Sequence, residues 1–93
     1  MAIQWNDLVE RFRDRLKILE RGATGEVGTW RRCCLEQALD VLEENPDAAS
    51  NHLDDFDRPP TSGEAAALAD KLGKVPNVED IRRRFDDLGG GIV

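Results

Sequence analysis

The sequence predicts an all-α protein, a small compact bundle of four to five short helices with no sheet. Three observations carry this. Apolar residues recur at spacings of three and four along most of the chain, and no run alternates with the two-residue period of a half-buried strand. Helix caps and breakers, Asn45-Pro46, Arg58-Pro59-Pro60, Gly73 and Asn77, separate the amphipathic runs. The chain has 93 residues, a size that buries about 60–65% of the surface it exposes when unfolded and so supports one modest core.

The first helix follows from Trp5, Leu8, Val9, Phe12, Leu16 and Leu19. At 100° per residue these six lie within one arc of about 100°. Ile18 falls on the opposite side, among Arg11, Asp14 and Arg15. Gly22, Gly25 and Gly28 interrupt the pattern, so Gly22–Thr29 reads as a flexible connection. A second helix is expected from about Thr29 to Glu44, or from Thr24, since either threonine can act as N-cap. Trp30, Cys34, Leu35, Ala38, Leu39, Val41 and Leu42 cover about half of its circumference, which marks it as the central helix. Cys33 projects with Asp40 and Glu44 from its polar side, and Arg31 interrupts the apolar arc.

Asn45 is a good N-cap, and Pro46 is tolerated at the first helical position. The third helix, Pro46–Phe56, turns Ala49, Leu53 and Phe56 inward and stops before Pro59. Thr61 and Glu64 have capping-box spacing and open a fourth helix to Leu72, where Gly73 supplies the stop. Asn77 caps a fifth, Val78–Leu88, with Glu79 and Asp80 at its positive end and Val78, Ile81, Phe85 and Leu88 on one stripe. Residues 1–88 therefore form one helical domain, followed by a Gly-rich tail, residues 89–93. Leu8, Phe12, Leu16, Leu39, Val41, Ile81 and Phe85 are the expected core.

Charge bounds the function. The formal net charge is −6, which disfavours phosphate backbones and anionic lipid. Between Asn45 and Asp70 stand Asp47, Asp54, Asp55, Asp57, Glu64 and Asp70 against the single base Arg58. An acidic surface meets a basic partner. No secretory apolar region and no run of bilayer length is visible. Cys33 and Cys34 are adjacent and cannot form an ordinary disulfide with each other. Free thiols without a leader point to a reducing cytoplasm.

Each candidate for chemistry has a plain alternative. Cys33, Cys34 and His52 would need a carboxylate to hold a metal, and vicinal cysteines chelate poorly, so neither metal nor cofactor is expected. A Cys33/His52 pair lacks an orienting group, and enzyme activity is not expected. Arg31 and Arg32, at the start of the second helix, could hold an anion, although Glu26 lies in the preceding loop and no lysine completes a phosphate-binding loop. Residues 62–88 could form a helix-turn-helix presenting Arg82, Arg83 and Arg84 to DNA. The first turn of its second helix would be Val78-Glu79-Asp80, two carboxylates that phosphates repel. The three arginines are expected instead to pair along their own helix with Glu79, Asp80, Asp86 and Asp87.

The favoured expectation is a non-enzymatic protein-binding module using Glu43, Glu44, Asp47, Asp54, Asp55 and Asp57 to occlude a basic surface of a partner protein. Size and acidity match small phage-type inhibitors or regulators, an analogy of type that no motif carries.

Overall fold

The computed structural model describes residues 3–88, and the Gly-rich 89–93 lie outside them. Five helices follow in order: α1 (Trp5–Arg21), α2 (Gly25–Val41), α3 (Pro46–Asp57), α4 (Glu64–Leu72) and α5 (Val78–Asp87). Among the described residues there is no strand, and no helix is long and apolar enough to cross a membrane.

The central helix is α2, which packs against each of the other four. Helix α1 also touches α3 and α5, whereas α3 does not pack on α4, nor α4 on α5. Leu8, Phe12, Leu35, Leu42, Leu53, Phe56 and Ile81 are completely buried in one cluster, each contributing about 1.5–3 kcal/mol of transfer free energy. Phe12 and Phe85 stack at 4.5 Å between ring centres and join α1 to α5. Of the expected core, only Val41 is not fully buried; it is partly buried and packs against the cluster.

Several boundaries differ from the pattern, each for a local reason. Helix α2 begins at Gly25, so the flexible connection expected over Gly22–Thr29 is only Gly22–Thr24. Gly28 is helical and buried against the connection that leads into its own helix: a Cβ at position 28 would lie 2.2 Å from the backbone carbon of Ala23. Thr24 occupies the N-cap position without using its side chain. The helix ends at Val41 rather than Glu44, and Leu42–Glu44 form a turn before Asn45, whose side chain accepts from the Ala48 amide at 3.2 Å.

Only half of the expected capping box is present. The Glu64 carboxylate accepts from the Thr61 amide at 2.9 Å, but the Thr61 hydroxyl caps nothing and left-handed Gly63 precedes the helix. Gly73 ends α4 in the left-handed conformation, φ +76°, with its amide bonded back into the last turn. Asn77 caps α5 through Glu79 at 2.8 Å. Leu88, expected on the buried stripe, is 37% exposed at the C-cap.

Candidate interaction surface

Helix α3 places Leu53 and Phe56 inward and leaves Asp54 and Asp57 on its outer side. Arg11 and Arg15, one turn apart on α1, face those two aspartates. Arg11 reaches Asp54 at 2.9 Å and Arg15 reaches Asp57 at 2.5 Å. The same arginines bond the Ser50 hydroxyl and the Leu53 carbonyl. Asp55 lies 3.9 Å from Arg58. The stretch that reads as an acidic patch is therefore largely neutralised by the fold. Each of the expected contacts Asp54, Asp55 and Asp57 thus has an arginine beside it within the protein, while Asp54 and Asp57 stay exposed at 68% and 53%.

A second hub joins α2, α3 and α4. The Trp30 indole N–H donates to the carbonyls of Asp55 and Arg58, each at 2.9 Å, closing the C-terminus of α3. The Arg58 guanidinium stacks on Trp30 at 4.9 Å and forks onto both Glu64 oxygens at 3.1 Å. That fork, with the Thr61 amide, lowers the Glu64 carboxyl to about 2. His52 lines a cleft beside Trp30, Gln37 and Lys71, and its Nδ1 is buried without a hydrogen-bond partner. It is half-buried rather than a surface residue.

The arginines of α5 act mainly between helices, correcting the expectation of pairs along their own helix. Arg82 pairs with Glu20 of α1 and lies 3.9 Å from Asp86. Arg84 crosses to α2, where it bonds the buried Glu36 and reaches Asp40 at 2.7 Å. Lys74 meets Glu36 from the other side at 3.2 Å. Only Arg83 keeps to its helix, bonding Asp80 at 3.3 Å.

A further group of carboxylates carries no ion pair. Where the C-terminal ends of α2 and α5 converge, Leu39, Asp40, Glu43, Glu44, Arg84, Asp87 and Leu88 line a groove of about 320 Å³. Among the described residues no cation pairs with Glu43, Glu44 or Asp87, nor with exposed Asp47 at the start of α3. Helix α2 has no basic residue in its last turn, so the negative end of its dipole adds to these charges. Of the acids expected to meet a partner, Glu43 and Glu44 line this groove and Asp47 does not; Asp87, not among them, reaches it through the packing of α5 on α2.

The remaining candidates separate in space. Arg31 and Arg32 lie beyond the first turn of α2, which contains Glu26, so they are not at the helix start where the alternative anion site would place them. The Arg31 guanidinium rests over the Phe56 ring at 5.5 Å, while Arg32 bonds its own helix at the Gly28 carbonyl. Cys33 is buried, not on a polar side, because α2 is enclosed by all four other helices. Burial pushes the Cys33 thiol up and the Cys34 thiol to about 12, Asp55 adding to the second. Both are poor nucleophiles at neutral pH. No group of three or more His, Cys, Asp or Glu among the described residues is arranged to hold a metal.

The packing of residues 62–88 differs from that of the alternative helix-turn-helix. That motif packs its two helices on each other, whereas α4 and α5 dock separately on α2.

Comparison with protein families, characterised proteins and solved structures finds no match. Fold and groove together define a class: a small acidic five-helix bundle with an acid-rimmed groove at one end.

Proposed function

We propose that this chain is a non-enzymatic acidic binding module that docks on a basic surface of a partner protein, as a small phage-type inhibitor or regulator would. One observation carries the reading: Glu43, Glu44 and Asp87 rim a groove lined by Leu39 and Leu88 whose one cation, Arg84, is paired with Glu36 and Asp40 instead. Apolar floor with charged rim is the anatomy of a protein-binding patch, and the rim's sign selects the partner. The contacts move accordingly from Asp54, Asp55 and Asp57 to Glu43, Glu44 and Asp87, with Asp47 nearby in sequence.

The test is affinity capture from a bacterial lysate with and without nuclease, using the parent chain and a Glu43→Lys, Glu44→Lys, Asp87→Lys variant. A stoichiometric protein that survives nuclease and is lost from the variant supports the reading. Equal capture by both chains sinks it.

A further inference from the structure

We infer that the groove at the ends of α2 and α5 takes an arginine-bearing basic segment with an apolar anchor, a deepening that rests on the acidic-module reading above. The geometry already contains its own example. Arg84 of α5 lies across α2 and uses its two terminal nitrogens on two carboxylates one helical turn apart, Glu36 and Asp40. A planar guanidinium suits such a bridge, because its fork presents parallel N–H groups that an ammonium lacks.

The same line of carboxylates continues past Asp40. Glu43 and Glu44 follow three and four residues on, and the Asn45 amide still bonds the Val41 carbonyl at 2.8 Å. The backbone thus keeps its helical course through both glutamates, although the regular helix ends at Val41. Asp87 faces the same groove from α5. Arg84 serves the first two carboxylates of the line, and no cation of the described chain serves the next ones.

The floor selects for more than charge. Leu88 is 37% exposed at the groove's lip, and Leu39 lies beneath it. A bare polycation would leave Leu88 in water, whereas a segment carrying leucine between two arginines would cover it. Charge complementarity therefore commits the groove to a basic amphipathic protein segment. Nucleic acid is repelled by the same carboxylates.

The decisive experiment is fluorescence anisotropy with a labelled synthetic helix-forming peptide carrying arginines four residues apart around a leucine. A matched peptide with glycine for the leucine is run beside it, and backbone amide NMR maps both. The inference expects the leucine peptide to bind, with shifts confined to residues 39–44 and 84–88. Affinity should fall about tenfold in Glu43→Gln/Glu44→Gln and with the glycine peptide, and should hold in Asp54→Asn/Asp55→Asn. Both glutamates are exposed, so their replacement leaves the core intact.

Binding that ignores Glu43→Gln/Glu44→Gln, or that maps to α3, overturns the groove while leaving the acidic-module reading standing. Self-association that the same double variant abolishes also overturns it, by making a second copy the occupant. No binding of either peptide, together with lysate capture unchanged by charge reversal, removes both readings.

Discussion

Replacing Gly28 with alanine tests a close approach of backbone to backbone. Its Cβ would meet the carbonyl carbon and oxygen of Ala23 at 2.2 and 2.4 Å, and backbone atoms have little freedom to yield. The expected cost is about 1–3 kcal/mol, read from the shift in urea midpoint. Trp30→Phe keeps an aromatic ring under Arg58 but removes the donor that closes α3. It should cost about 1 kcal/mol, since the Arg58 carbonyl loses this donor whereas the Asp55 carbonyl keeps the Arg58 amide. Glu64 gives a pH signature. Its folded carboxyl is held at about 2, below the unfolded value of about 4.3. The folded state therefore binds fewer protons, and this group's stabilisation is complete above about pH 4.5 and drains away as the pH falls toward 2. Urea titrations across that window should show a steeper loss of stability for the parent than for Glu64→Gln. Parallel curves would remove Glu64 from the account. Tandem Asn45 and Asn77 caps were readable from sequence, because a cap depends on neighbours one to three residues away. The Gly28 contact was not, because it depends on the path of the backbone at Ala23 as it enters the helix, which residue spacing does not specify.

Helix α5 shows how the same residue type takes different roles on a single element. Arg83 is 70% exposed and pairs within its own helix, a contact worth about 0.3–0.5 kcal/mol. Arg82 ties α5 to Glu20 of α1. Arg84 neutralises Glu36, whose side chain is only 6% exposed. Removing it leaves a buried carboxylate with Lys74 alone, a deficit of about 1–3 kcal/mol. Single glutamine substitutions should therefore destabilise in the order Arg84, Arg82, Arg83, measured by thermal or urea denaturation. Arg83→Gln equal to Arg84→Gln would mean that the Glu36 contact contributes nothing. Amphipathic spacing revealed α5, its cap and its buried Ile81 and Phe85 from the sequence. Partners 48 and 62 residues away leave no trace in local spacing, so the expectation of pairs along the helix held fully only for Arg83.

At the scale of the whole molecule, the net charge of −6 combines with the consumption of Arg82 and Arg84 by internal pairs. Duplex DNA should not be retained even at low salt, and a gel-shift titration checks this. Salt-sensitive retention lost in Arg83→Glu would restore the DNA-binding reading. Placement of α2 at the centre was legible because its apolar residues cover half its circumference. Its burial on the remaining side, which encloses Cys33 and Glu36, was not, since Arg84 of α5 and Lys74 close over a face that looks polar.

The sequence by itself determined the class of this protein. Periodicity, caps and breakers act over a few residues, and they specified five helices, most of their ends and six of the seven expected core residues. The tertiary structure decided which charges are free. Asp54 and Asp57 look available until α1 brings Arg11 and Arg15 against them, and Asp87 looks incidental until α5 carries it beside Glu43 and Glu44. Hydrophobic burial is written into the spacing of single helices. The pairing of charges depends on which helices meet, and only the packed molecule fixes that.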